Sequence, residues 1–186
     1  MKKNILIIGA ARSGKTTLAK KLSKEKGYNL ISIDNIVSGL AAYPGLNVKH
    51  DGNDTLTSSN LAPFLIKLFT ELSEGSVFYD DVKFVIEGTH IDFEKIMPFL
   101  QSDKYKEKYE IIGLTYNNIT VDNMYEDIKK YDTEDEWTYW CNDEELKGNI
   151  KYFIKRNKFF DEKFNIKTYD VSSNRDKVLE EIVSLF

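Results

Sequence analysis

The sequence predicts an α/β fold in which parallel strands alternate with helices, and two observations predict it. Five short apolar runs recur along the 186 residues, and each is followed by a segment with helical spacing. The first run leads directly into Gly9-Ala10-Ala11-Arg12-Ser13-Gly14-Lys15-Thr16, which fits G-x-x-x-x-G-K-[ST], and a helix-forming stretch follows. Right-handed crossovers then place the five strands in one parallel sheet, covered by helices on both faces, in a single domain spanning 1–186.

In chain order, Asn4 to Ile8 reads as a buried strand that ends on Gly9, with a helix from Thr17 to Lys26. Asn29 to Ile33 reads as a second strand closing on Asp34. Residues 43–60 are rich in Gly, Asn and Asp and read as a long acceptor-side loop. Helix resumes near Asn60 with Pro63 in its first turn, carries Leu61, Leu65, Leu68, Phe69 and Leu72 on one period, and stops at Gly75. Lys83 to Glu87 is the third strand, followed after Gly88-Thr89-His90 by a helix from about Asp92 to Gln101. Tyr109 to Thr115 is the fourth strand, with a helix from about Val121 to Lys130. Residues 131–143, acidic and aromatic without a clear period, are the candidate lid. A long helix over about Glu144 to Glu162, a strand from Ile166 to Val171 and a helix from Arg175 to Leu185 complete the pattern. Ser173, three residues before Asp176, suits a capping box.

The chemistry of the first loop follows from its spacing. Gly9 and Gly14 let the backbone curl so that its N–H groups cradle an anion, and the helix start adds the positive end of its dipole. Lys15 can reach the outer phosphates of a nucleoside triphosphate, and the Thr16 hydroxyl can ligate Mg²⁺. Arg12 can lean over the phosphates or pair with an acidic residue of the lid.

Composition narrows the classes. A net charge of −4 argues against a nonspecific grip on DNA or RNA, which needs clustered cations to displace counterions, so no nucleic-acid partner is expected. One cysteine, Cys141, excludes an internal disulfide and a multi-cysteine zinc site, which fits a reducing cytoplasm. No apolar run is long enough to span a bilayer, so no membrane partner is expected.

Two carboxylates stand out, because ligands of open α/β sheets bind at the carboxyl ends of the strands. Asp34 and Glu87 each follow an apolar strand, so one can act on Mg²⁺ through water while the other accepts or fixes a substrate hydroxyl. His90, three residues beyond Glu87, can touch the same substrate or cap the next helix. His50 reads as a surface residue. Arg156, on the long helix after the lid, can swing onto the transferring group. Trp137, Tyr139 and Trp140 read chiefly as packing for the lid. N-K-x-D, the guanine-selecting pattern, is absent where Asn157-Lys158 is followed by Phe159-Phe160, so adenine is expected.

Four stretches together resemble the P-loop nucleoside and nucleotide kinase superfamily, which includes adenylate kinase and shikimate kinase. They are G-A-A-R-S-G-K-T-T at Gly9 to Thr17, I-S-I-D at Ile31 to Asp34, F-V-I-E-G-T-H at Phe84 to His90 and D-V-S-S-N-R at Asp170 to Arg175. The resemblance implies the strand order 2-3-1-4-5 and ATP on the loop from Gly9 to Thr17, with Ala10, Ala11, Ser13 and Thr17 among its contacts. It also implies a lid before the long helix, adenine against Ser173, Asn174 and Arg175, and Asp34 and Glu87 as acceptor-side carboxylates. Residues 18–155 contain no arginine, so the forks that adenylate kinases use to hold an acceptor phosphate are missing. The resulting expectation is a monomeric or homodimeric kinase that moves the γ-phosphate of ATP, with Mg²⁺, to a small hydroxyl-bearing acceptor. An ATP-binding regulator and a simple ATPase are the alternatives.

Overall fold

Asn4 to Ile8 offers water only one polar side chain, and the strand β1 (Asn4–Gly9) is buried along that run in the computed structural model of the chain. The structure describes residues 3–50, 54–74, 82–134 and 136–186, and within them the side chains of 54 and 156–161 lie outside the description. The other strands are β2 (Asn29–Ser32), β3 (Phe84–Glu87), β4 (Tyr109–Thr115) and β5 (Lys167–Asp170). They form one parallel sheet in the order β2-β3-β1-β4-β5, with helices on both faces, as the sequence and the resemblance predict.

The chain divides into two compact units, one of residues 1–8, 15–112 and 186, the other of residues 9–14 and 113–185. In the first, α1 (Lys15–Lys26), α2 (Ile33–Leu40), α3 (Asp54–Glu74) and α4 (Phe93–Leu100) accompany β1 to β3. Its core holds Ile5, Leu6, Ile7, Leu18, Leu22 and Phe69, all without exposed surface. Burial of this kind contributes about 1.5–3 kcal/mol for each large apolar side chain. Asn4, also buried, donates to Leu72 O at 3.2 Å and accepts from Phe84 N at 2.9 Å, which ties the start of β3 to β1. The register then sets Ile7 opposite Glu87 and Ser32 opposite Glu87, so the three lie at one level near the strand ends.

In the second unit, α5 (Val121–Tyr131), α6 (Asp143–Phe164) and α7 (Arg175–Ser184) accompany β5 and the end of β4, with a 3₁₀ turn at Trp137–Trp140. The helix dock rests on buried Met124, Ile128, Leu146, Ile150, Leu179 and Ile182.

Several boundaries move by one or two residues, as at α1, which begins at Lys15 rather than Thr17, and three differences from the sequence reading have a clear physical reason. β2 stops at Ser32 and Asp34 lies in the first turn of α2, because Ile33, Ile36, Val37 and Leu40 share a helical stripe that begins where the strand ends. α3 starts at Asp54 rather than near Asn60, so Pro63 is interior to it. The polar run Thr57-Ser58-Ser59-Asn60 looks like loop but finds tertiary partners. Thr57 Oγ1 donates to Lys49 O at 2.8 Å, Asn60 Nδ2 donates to Asn47 O at 3.0 Å, and Lys95 Nζ donates to Ser59 O, the carbonyl that Pro63 cannot bond. Asn174, rather than Ser173, caps α7 by accepting from Lys177 N at 3.2 Å. Gly75, read as the end of α3, falls outside the described residues.

Candidate nucleotide-binding site

The glycine motif becomes a loop with left-handed backbone at three places, Gly9 (φ +152°), Arg12 (φ +66°) and Gly14 (φ +93°). At Gly9 a Cβ would stand 2.5 Å from Leu114 O, so no side chain fits there. Ser13 is fully buried, and its Oγ has no hydrogen-bond partner among the described residues. A curled loop with a buried, unmatched hydroxyl suits an anion with oxygen acceptors. Ala10 and Ala11 complete this stretch without bulk, and Lys15, whose side chain is buried, opens α1.

Thr16 and Thr17 follow in the first turn of α1, and Thr16 Oγ1 donates to Glu87 Oε2 at 3.0 Å. Glu87 is 2% exposed at the end of β3. Two hard oxygen donors in contact, one of them a carboxylate, form a donor set that suits Mg²⁺. Among the described residues there is no cluster of three His, Cys, Asp or Glu side chains that could hold a metal by themselves. Mg²⁺ on this fold would complete its octahedron with water and phosphate oxygens.

Asp34 lies beside this pair in the same unit. Its Oδ1 accepts from Thr89 N at 3.2 Å, and a Cβ at Gly88 (φ +153°) would stand 3.3 Å from that oxygen and 2.6 Å from Ile33 Cβ. Gly88 is thus the residue whose lack of a side chain lets α2 approach the end of β3. His90 is buried, and its Nε2 lies 3.1 Å from His50 Nδ1. His50 Nε2 is 3.3 Å from both Asp34 O and Ser38 Oγ. His50 is exposed, as the sequence reading has it, and its ring is also bonded to His90 and to α2. No local signal shows this, because the contact spans 40 residues.

In the second unit Arg12 is surrounded by acceptors. Its Nη2 lies 3.1 Å from Asp132 Oδ1 and its Nη1 2.7 Å from Glu136 Oε2, while Tyr116 OH donates to Arg12 O at 2.7 Å. Burial pushes the Tyr116 phenol up to about 12, so at neutral pH it is a donor. Arg175 lays its aliphatic stem over Gly14, with Cδ 3.2 Å from where a Cβ would be. Asp170 accepts from Asn117 N at 3.1 Å, Ser172 N at 3.0 Å and Asn118 Nδ2 at 2.8 Å, and from the Ser172 hydroxyl. Burial pushes its carboxyl up, and these bonds outweigh that and leave it below the usual value. The network fixes the turn carrying Ser173, Asn174 and Arg175, which lines a cavity of ≈ 410 Å³ together with Asn118, Asn123 and Asp127.

The remaining site candidates are less informative. Arg156 lies within α6, and its side chain is outside the described residues. Trp137, Tyr139 and Trp140 are exposed, yet Trp137 stands edge-on to Phe153 of α6 and Tyr139 to Trp140, so the packing the sequence suggests is partial. No helix of the described residues is long and apolar enough to cross a membrane.

No family model matches the chain. Over 150 residues it is 28% identical to a tRNA dimethylallyltransferase from Vesicomyosocius okutanii subsp. Calyptogena okutanii (strain HA), a match covering 70% of this chain and 47% of that protein. The chain therefore spans about half the length of the curated relative it matches. Among solved structures it is similar to a shikimate kinase from Bacteroides thetaiotaomicron, with TM-score 0.62, 14% identity and coverage of 98% of this chain and 97% of the other. It is also similar to a gluconokinase from Sinorhizobium meliloti 1021, with TM-score 0.59, 11% identity and coverage of 98% and 90%. A deoxyadenosine kinase from M. mycoides, with dCMP and dCDP bound, matches with TM-score 0.51, 14% identity and coverage of 98% and 97%. The chain has the fold of the P-loop small-molecule kinases.

Proposed function

We propose that the chain is an ATP-dependent phosphotransferase that moves the γ-phosphate to a small hydroxyl-bearing acceptor. The observation that carries this reading is the 3.0 Å bond from Thr16 to Glu87, which sets a buried carboxylate against the last residue of the phosphate-loop motif. Phosphoryl transfer asks a protein chiefly for positioning and charge neutralisation. The loop from Gly9 to Gly14 cradles the phosphates, Lys15 reaches the outer ones, and Thr16 with Glu87 would hold Mg²⁺. When bound, that ion neutralises charge on the phosphate oxygens. Asp34, oriented by the Thr89 N–H, has a second carboxylate oxygen to accept the proton of the acceptor hydroxyl. Ser173, Asn174 and Arg175 flank the base, and Arg156 supplies a cation late in the reaction.

The acceptor is a neutral polyol or hydroxyl compound rather than a nucleoside monophosphate. Residues 18–155 carry no arginine for a second phosphate, while Asp34 and Glu87 bring negative charge to that side. Single-turnover mixing with γ-labelled ATP and a panel of hydroxyl metabolites tests the proposal. Label on one acceptor supports it, and ATP binding without label on any acceptor refutes it.

A second reading, an ATP-binding regulator or simple ATPase, is favoured by Arg12, whose guanidinium is engaged by Asp132 and Glu136. It predicts tight binding with no acceptor dependence. The 28% identical relative is named for dimethylallyl transfer to tRNA, and the net charge of −4 here argues only against nonspecific binding of nucleic acid. Including tRNA in the binding panel covers that case.

A further inference from the structure

Arg12 is the cation built into the phosphate loop, yet both ends of its guanidinium fork are held by carboxylates of its own chain. Asp132 is the deeper partner. Its side chain is 2% exposed, its Oδ1 also accepts from the buried Thr138 hydroxyl at 2.6 Å, and its Oδ2 is buried with no partner among the described residues. Glu136 is the outer partner, at 2.7 Å and 45% exposed. The backbone of Arg12 is left-handed, a conformation that costs a non-glycine residue free energy, and the Tyr116 hydroxyl bonds its carbonyl from the other side.

We infer that Asp132 and Glu136 are internal competitors of the nucleotide's phosphates for Arg12, and that occupancy of the loop loosens the Glu136 side of this latch. The inference rests on the phosphate-loop reading above. A polyphosphate in the cradle and a carboxylate on the guanidinium draw on the same donors, and the two anions repel each other at close range. Glu136 is the arm that yields, because it is half exposed and solvent can receive it. Asp132 stays, because releasing Arg12 altogether would leave its carboxylate buried without a counter-charge. Coupling of this kind is reciprocal: the factor by which the closed Glu136 arm weakens phosphate binding is the factor by which bound phosphate weakens the arm, so removing the arm tightens binding.

The chain contains two tryptophans, Trp137 and Trp140, and both lie in the 3₁₀ turn directly after Glu136. Tryptophan fluorescence, excited at wavelengths where tyrosine does not absorb, therefore reports on this turn. The experiment measures the Kd of the full chain for MgATP and for inorganic triphosphate, with fluorescence recorded during each titration. Glu136→Gln tightens both probes about two- to fivefold, the range set by a partly exposed ion pair. Arg12→Gly combined with Asp132→Asn removes both inner charges together, so no buried carboxylate is left unmatched. In that background Glu136→Gln changes Kd by less than about 1.5-fold and the fluorescence response to triphosphate is lost. Unchanged or weaker binding by Glu136→Gln overturns the inference. Equal tightening in both backgrounds also overturns it, since that is repulsion acting without Arg12. Failure of every chain to bind either probe removes the phosphate-loop reading itself, and the latch with it.

Discussion

Replacing Glu87 with glutamine separates catalysis from scaffolding at the carboxylate that the candidate site depends on. Glutamine keeps the size of the side chain and an oxygen that still accepts from Thr16 Oγ1, so the 3.0 Å contact survives without its charge. A hydrogen bond to an ionised group is worth about 1.5–3 kcal/mol and a neutral one about 0.5–1.5, a loss of about 1 kcal/mol. Against this, a side chain 2% exposed no longer buries an anion, which recovers a similar amount. Net stability therefore stays within about 1 kcal/mol, and for a chain of this length the melting midpoint moves by less than about 4 °C. Transfer behaves differently, because positioning the ion and the hydroxyl needs the full carboxylate charge, and its rate falls by about 10² or more. Thermal melts, calorimetric ATP affinity and single-turnover transfer of γ-label are measured on the same preparation. Transfer at the wild-type rate would falsify the catalytic assignment, and a midpoint lowered by more than about 8 °C would make Glu87 a scaffold residue.

Lys15→Ala removes the ammonium proposed to meet the outer phosphates, and calorimetry with Mg²⁺ should register no ATP heat at millimolar concentration; wild-type affinity would refute the cradle. Gly88→Ala places a Cβ 2.6 Å from Ile33 Cβ on a left-handed backbone, so urea unfolding should show a loss of about 2 kcal/mol or more. A neutral effect there would mean that α2 is not held against β3 as described. Asp170 has a carboxyl depressed in the folded chain, so the stability it contributes is present above the ordinary carboxylate value and is lost as pH falls through the folded value. The urea midpoints of wild type and Asp170→Asn should therefore differ most near pH 7 and converge toward pH 3, and a constant gap would contradict the assigned network.

Strand existence was legible because it depends on local pattern. Ile5 to Ile8, Val85-Ile86 and the run Tyr109 to Thr115 each need burial along their whole length, and the span predicted for β4 coincides with the observed one. Boundaries failed where a tertiary partner outweighs local preference. Thr57 and Asn60 are ordinary loop residues until Lys49 O and Asn47 O accept their protons, and Pro63 ends helices until Lys95 satisfies the carbonyl it abandons. The strand β2 was read too long for the opposite reason, since Ile33 suits a strand and a helix equally and only the following stripe of Ile36, Val37 and Leu40 decides.

For the site, the same division separates what a motif carries from what only folding brings together. Gly9, Gly14, Lys15 and Thr16 announce themselves because the spacing of a phosphate cradle is local, and Glu87 follows from its place at the end of a buried strand. The partners of these residues do not. Of the two expectations for Arg12, the structure shows the pairing with acidic residues of the lid stretch, and what the sequence left open is which ones, Asp132 and Glu136, more than a hundred residues away. His50 meets His90 across forty residues with no local signal. The sequence thus offers two partners for the loop arginine, phosphate or lid carboxylate, and the fold shows the carboxylates holding it. On the inference drawn above, affinity for a nucleotide would be a difference between two anions competing for one guanidinium, and substitutions far from the glycine loop would set it as surely as those within it.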